Sequence, residues 1–462
     1  MNEEKINRKD NSDFSKGSVS GAIVRLALPM AFAQLVNVLY TLISKIYLGH
    51  LPGAGHLALS GVGITLPIIF LITSVTALCG TGGGPLFAIF RGKGDDEEAE
   101  RIMGNSFTML LFFGVIMTVL VLIFMTPLLF IFGASEYTYS FAREYLTFYS
   151  LGSIFVMISL GMNVFVNAQG FGKTVMLTTV IGASVNLVLE PVFIFALDMG
   201  VRGAALSTVA AQFCSAMWVL RFLVRKSVLK VKLSRMKPQL RRMKKIMALG
   251  VSGFIMMLTN TLSVFLANIM LQRHGGDMFV GIMAMIYTLR EIISMPFFGL
   301  ERGAGPVISF NYGAKLYDRV RAAIKFKVRL AVIYSAIATT LIILLPGLLL
   351  RAFSNDPALI AAGIPALRIY YGMFVFMVLQ MTAQNVFVGL GMTRHAIFFS
   401  LLRKAFLVAP LTLILPEMGF GTYGVFMAEA VSQLIGGLAC FLTMYAVVYR
   451  RLKKPAITKP IK

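Results

Sequence analysis

Two stretches of 34 residues, 57–90 and 102–135, contain no aspartate, glutamate, lysine or arginine. About 20 consecutive apolar residues already cross the hydrocarbon core of a bilayer as a helix, so each stretch exceeds one crossing. Inside hydrocarbon every backbone N–H and C=O must find a partner within the protein, which leaves only helices and closed barrels. A barrel would need segments of about ten residues alternating apolar with polar. These runs are apolar on all sides. With 57% hydrophobic and 14% charged residues over 462 positions, the chain reads as an all-α polytopic membrane protein.

Helix-length apolar segments fall at about 22–48, 57–90, 105–132, 144–170, 174–197, 201–224, 246–271, 278–300, 328–353, 366–390, 396–416 and 421–449, which makes twelve. Of the 43 lysines and arginines, 35 sit before the first segment, around every second loop, or after the last segment. The positive-inside rule then puts both termini in the cytoplasm and the chain in the cell membrane as a multi-pass protein. The net charge of +23 is distributed between apolar spans, not over a soluble face, so nucleic acid is not an expected partner. Cys79, Cys214 and Cys440 share no short spacing and lie in apolar runs, which indicates neither disulfides nor a metal knuckle.

The chain is internally duplicated. An offset of 221 carries Pro85 onto Pro306, Gly92 onto Gly313, Gly203 onto Gly424 and Gln212 onto Gln433, and Asn163-Val164-Phe165-Val166 recurs at Asn385-Val386-Phe387-Val388. One spacing held over most of a chain is the mark of a repeat. The expected organisation is a tail (1–20), an N-lobe of helices 1–6 (21–224), a basic linker (225–245), a C-lobe of helices 7–12 (246–449) and a basic tail (450–462). Six spans per half is an even number, so the halves are related by an axis along the membrane normal, with a substrate path between them. The linker is expected to anchor topology; binding to anionic lipid head groups is its other reading.

A carboxylate in a span is a functional candidate by default. Glu190 lies within the apolar run 174–197, with Asn186 one helical turn before it and Pro191 directly after. Pro191 cannot donate a backbone hydrogen bond and crowds the carbonyl four residues back. A carboxylate, an amide oxygen and a freed carbonyl make a candidate site for a proton or sodium ion, with Thr208 as a further oxygen. A static ion pair with Lys45 or Arg302 is the structural alternative. Gln34, Asn37, Tyr40 and Ser44 form a polar stripe along helix 1, suited to a cavity wall. Glu429 is a second buried acid, and Glu301 and Arg302 are expected at the end of helix 8. Gly80-Thr81-Gly82-Gly83-Gly84-Pro85 lacks the Lys-Ser/Thr ending of a phosphate loop and suits close helix packing better. With no catalytic or metal-ligand spacing among the acids and histidines, no enzyme, metal site or cofactor is expected.

Several motifs together resemble the multidrug and toxic compound extrusion family, in particular its bacterial multidrug export proteins. They are Ala27-Leu28-Pro29, Gly49, Asn186 to Pro191, Gly200-Val201-Arg202-Gly203-Ala204-Ala205, Arg290-Glu291-Ile292-Ile293 with Pro296, and Ser309-Phe310-Asn311-Tyr312-Gly313-Ala314. The resemblance implies a monomeric antiporter that rocks two six-helix lobes and exchanges protons or sodium ions for small, mainly cationic drugs. It makes Glu190, with Asn186 and Thr208, the coupling site. The chain departs from the family pattern at Ser44-Lys45, where an acid normally stands, and at Glu301-Arg302, where Thr-Gln is usual. Export or flipping of a dedicated, anionic metabolite or lipid-linked precursor is the alternative that Lys45 and Arg302 motivate.

Overall fold

The computed structural model describes residues 12–51 and 55–453, and no strand occurs among them. Helix α1 is Val19–Gly49, α2 Gly55–Gly92 and α3 Asp96–Ile131. α4 is bent by 55° between Glu136–Leu151 and Ser153–Ala168. α5 is Gly172–Ala196 and α6 Gly200–Lys226. A continuous run, Leu240–Gly313, breaks at Gly276 (φ 65°, ψ −165°) into α7 (240–275) and α8 (277–313). Ser263 and Tyr287 line one small cavity, which a straight helix would forbid at a rise of about 1.5 Å per residue, so the chain reverses there. α9 is Tyr317–Leu344 with a further turn at Pro346–Arg351. α10 bends by 41° between Pro357–Tyr371 and Phe374–Gly389. The last run, Thr393–Tyr449, breaks at Gly419 and Gly421 into α11 (393–420) and α12 (421–449).

The backbone repeats as the sequence does. Positive φ recurs at the same offset in Gly94 and Lys315, Gly170 and Gly391, Asp198 and Gly419, and Gly200 and Gly421. Each lies in a connection between helices, where a left-handed residue turns the chain at least cost if it is glycine. The halves also meet symmetrically. A Cβ at Gly92 would strike the Phe310 carbonyl, and one at Gly313 the carbonyl of Ile89, the repeat partner of Phe310. Likewise Gly82 faces Ile246 at the start of α7, and Gly303 faces Ala27 near the start of α1. Glycine at these crossings lets backbones approach without side chains between them.

Two apolar cores result, one per half, and each borrows from the other. Ile23 and Leu26 of α1 belong to the core of the second half, and Ile246 of α7 to that of the first. The basic end of the bundle is further closed by residues 12–17. Arg91 donates to the Ser12 carbonyl at 2.6 Å, Asn311 and Arg319 donate to that of Phe14, and the Phe14 ring packs edge-on against Phe310. At the opposite end Leu39, Leu42 and Ile46 of α1 and Leu262, Phe265 and Ile269 of α7 remain exposed. Residues 1–11 and 454–462 of the expected tails lie outside the described residues.

Helices are longer at the basic end than hydropathy predicts. α3 begins at Asp96, whose neighbours Glu97 and Glu98 occupy the first turn, and α8 continues thirteen residues past 300 to Gly313. Acidic side chains at a helix N-terminus are favourable, so charge does not end these helices. Here the carboxylates also bind the linker: Arg242 pairs with Glu98 at 2.6 Å, Lys232 with Glu100 at 2.8 Å, and Arg235 with Glu97. Three of the linker's ten basic residues are thus directed at α3.

Candidate functional site

α5 stays α-helical to Pro191 and then widens into a π turn, Val192–Ala196. Because Pro191 cannot bond back to Leu187, the ladder is already broken where the helix changes pitch. Glu190, one residue before the break, is 0% exposed. Its Oε1 accepts a 2.5 Å hydrogen bond from Ser44 of α1, and its Oε2 has no hydrogen-bond partner among the described residues. One turn earlier Asn186 is 2% exposed and donates through Nδ2 to Ser207 at 3.3 Å and Thr208 at 3.4 Å, which fixes its orientation. Its Oδ1 is left without a partner. Two buried acceptor oxygens on one face of α5 therefore lack donors, each costing about 1–3 kcal/mol if left so. A bound proton or small cation is what such a pair of oxygens would take. Thr208 also donates to Ala204, the local backbone bond a helical threonine commonly makes.

A pocket of about 60 Å³ adjoins this site, lined by Asn37 and Tyr40 of α1, Asn186 of α5, Thr208 of α6 and Asn163 of α4. Asn163 is shared with a larger cavity of about 390 Å³ between the halves. That cavity lies at the repeat axis: Pro85 and Pro306, Gly84 and Gly305, and Asn163 and Asn385 line it in pairs. Its volume is within the range of small-molecule sites, roughly 300–1,000 Å³.

The C-half holds a different polar cluster. Glu429, 6% exposed, pairs with Arg403 at 2.9 Å and Lys404 at 3.0 Å. Arg290 donates to the Tyr370 hydroxyl at 3.0 Å and lies over the Tyr287 ring. Only about 10 Å³ is left open among them. Nearby, Lys327 is fully buried and donates to Glu301 at 2.7 Å and to Asn385 Oδ1 at 2.8 Å.

The MatE family model matches residues 29–192 and 253–414, one block in each half. The chain belongs to the MatE family. It is therefore a multi-pass membrane transporter and not an enzyme. Among its relatives, Multidrug export protein MepA of Staphylococcus haemolyticus is 24% identical over 94% of both chains. MepA of Staphylococcus aureus is 22% identical, covering 94% of this chain and 95% of its own. Of the solved structures, one of MATE in the bent conformation superposes with a TM-score of 0.90 at 23% identity, covering 96% of this chain and 98% of its own. A MOP superfamily transporter from Pyrococcus furiosus, described as having reversed polarity of its binding pocket, superposes at 0.88 with 23% identity and coverage of 96% and 98%. The twelve-helix MatE fold and its two six-helix lobes follow.

Within this MatE framework the residues singled out from sequence do not all converge. Glu190, Asn186, Thr208 and Ser44 are brought together, and Asn37 and Tyr40 line the adjoining pocket. Gln34 is half-buried, with no place in either lining. Neither Lys45 nor Arg302 forms an ion pair with Glu190; Lys45 is exposed beside Ser44, and Arg302 is in the central cavity. Glu301 and Arg302 do not end α8, which runs on to Gly313, so they sit at mid-helix depth instead of at a snorkelling end. Glu429 is an ion-pair partner of α11. Sequence reasoning missed Lys327, Arg403 and Lys404, which it counted with the topological charges flanking loops. Their signal was that each is followed by a long apolar run within its own helix, and hydropathy cannot tell a flank from a buried first turn.

Proposed function

We propose that this MatE protein is a secondary active exporter. It moves small organic molecules, mainly drugs with cationic groups, out of the cell in exchange for a proton or sodium ion bound at Glu190. The observation that carries the reading is the pair of unpartnered oxygens, Glu190 Oε2 and Asn186 Oδ1, buried on one face of α5 beside a polar pocket. Ser44, Tyr40 and Thr208 orient and surround the site. The printed names of the staphylococcal relatives, multidrug export proteins, support drug efflux.

Exchange requires that ion and substrate compete for one conformation, so that binding of one favours release of the other. α1 is suited to couple them, because Ser44 bonds Glu190 while Asn37 and Tyr40 of the same helix line the pocket that shares Asn163 and Leu160 with the central cavity. Alternating access would rock the lobes, 21–224 and 246–449, about the glycine crossings of α2 with α8. The clustering of lobe contacts at the basic end, proposed as the cytoplasmic side with both termini, supports an arrangement closed inward. One chain holds both halves of the path, so a monomer suffices.

The test is dye transport in everted vesicles under separate proton and sodium gradients. Glu190→Gln is expected to lose gradient-driven transport at normal protein levels; coupled transport that persists undiminished in this variant overturns the proposal. A second reading, export or flipping of an anionic metabolite or lipid-linked precursor, is favoured by one observation, the position of Arg302.

A further inference from the structure

Two charged residues line the central cavity, Glu301 and Arg302. Their repeat partners, Gly80 and Thr81, line it from α2 and are uncharged. Glu301 is spent internally, with one oxygen on Lys327 and the other accepting from Thr382 at 3.3 Å. Arg302 is different. Its side chain is exposed, although its neighbours Glu301, Gly303 and Ala304 are buried, and it forms no ion pair or side-chain hydrogen bond among the described residues. Its backbone carbonyl is held by Asn167 of the other half at 2.8 Å, which fixes that turn of α8 against α4. Thr81, by contrast, turns its hydroxyl back onto the Ala77 carbonyl at 2.6 Å. The cavity's net charge therefore rests on one guanidinium.

Of the amides lining the cavity, Asn167 directs its NH₂ to the Arg302 carbonyl and keeps an unpartnered Oδ1, whereas Asn385 is a donor. Asn385 also lines the cavity, and its Oδ1 is occupied by Lys327 at 2.8 Å. An amide whose oxygen is fixed on an ammonium has only its NH₂ donors left to offer. Arg302 adds five N–H donors in a planar fork that matches the two oxygens of a carboxylate, sulfonate or phosphate. A cavity of about 390 Å³ with donors and no free acid is complementary to an acidic group attached to an apolar body.

We propose that the central cavity binds the acidic group of a zwitterionic organic substrate, one that carries a cationic group as well, with Arg302 as the recognising residue and Asn385 as a second donor. This rests on reading the cavity as the substrate chamber and names its substrate class. A zwitterion would satisfy both ends of the path, because the pocket beside Glu190 and the central cavity share Asn163 and Leu160.

The experiment is equilibrium binding to purified protein in lipid nanodiscs, read by fluorescence anisotropy with two xanthene dyes of opposite charge, fluorescein and rhodamine 6G. Wild type is expected to bind fluorescein. Arg302→Gln should weaken it at least tenfold, Arg302→Lys less than threefold, and rhodamine 6G should bind Arg302→Gln no more weakly than wild type. Thr81→Glu, which adds an acid to the same cavity and leaves residue 302 unchanged, should also weaken fluorescein at least tenfold. Fluorescein binding unchanged in Arg302→Gln and Thr81→Glu, or absent from wild type, overturns the proposal. Displacement of fluorescein by dioctanoyl phosphatidate would assign the site to a lipid headgroup, and displacement by naphthoate alone to a soluble acid; either outcome keeps the acidic group on Arg302. No gradient is applied, so this result is independent of whether Glu190 couples transport.

Discussion

The pocket between α5 and α6 and the one between α11 and α12 occupy equivalent places in the two halves, yet they are filled in opposite ways. In the first, Gly182 and Ala183 leave about 60 Å³ open beside Asn186 and Thr208. In the second, the repeat partners of Gly182, Ala183 and Thr208 are Arg403, Lys404 and Glu429, and about 10 Å³ remains. A buried acid whose cations are supplied by the protein is a closed structural unit, costly to break and with little reason to exchange its charge. A buried acid with one hydroxyl partner and one unpartnered oxygen keeps a demand that a mobile cation can meet. Duplication supplied two copies of a helix pair. Divergence made one a polar pocket and the other a strut.

The largest expected effect tests the open copy. Glu190→Gln should reduce gradient-driven dye transport in vesicles by at least tenfold while thermal stability in detergent is kept or raised, because the substitution removes a buried charge that has no counter-ion. A marked fall in melting temperature would instead make Glu190 a structural residue like Glu429.

Next comes the closed copy. Glu429→Gln leaves Arg403 and Lys404 without their carboxylate and is expected to destabilise the protein by about 3–5 kcal/mol, measured by thermal unfolding in detergent. If stability is unchanged and ion coupling is lost, the two copies share a role and the contrast drawn between them fails.

A smaller effect is expected from Asn186→Leu, which copies the repeat partner Leu407 into the open site. Removing one acceptor oxygen should raise the apparent half-saturating concentration of the coupling ion about tenfold, equivalent to about 1.4 kcal/mol. Titration of transport against proton or sodium concentration reads this directly; an unshifted midpoint would leave Asn186 outside the ion site.

Ser44→Ala should do least. It deletes one hydrogen bond, worth about 1.5–3 kcal/mol to a charged acceptor and about 0.5–1.5 to a neutral one, so only the difference, about 1 kcal/mol, reaches the midpoint. A midpoint shift that appears in proton titrations but not in sodium titrations is what the bond predicts, because a proton neutralises Glu190 whereas sodium leaves the carboxylate charged before and after binding. Equal shifts in both would mean that Ser44 merely holds α1 against α5.

Much of this contrast could be read from one dimension. Glu190 interrupts a span of apolar residues, and its repeat partner Leu411 is apolar, so the first half had to be the asymmetric one. The proximity of Ser44 was visible only as a polar stripe on α1. The cationic side of the closed copy was not visible at all, because Arg403 and Lys404 stand near the start of α11, where basic residues usually mark the cytoplasmic flank. Burial of Lys327 was hidden in the same way, among the six basic residues between positions 315 and 329.

What the sequence determined by itself was the solvent, the helix, the repeat and the family. Uncharged runs longer than a bilayer is thick leave a chain no other way to satisfy its backbone, and a constant offset forces two halves of one design. What only the tertiary structure decided was which charges are compensated. Compensation depends on distances of a few ångströms between helices up to 146 positions apart in the chain, as for Ser44 and Glu190. Local hydropathy contains no term for that. The same physics separates Glu301, answered by Lys327, from its neighbour Arg302, which faces the cavity with its charge still available.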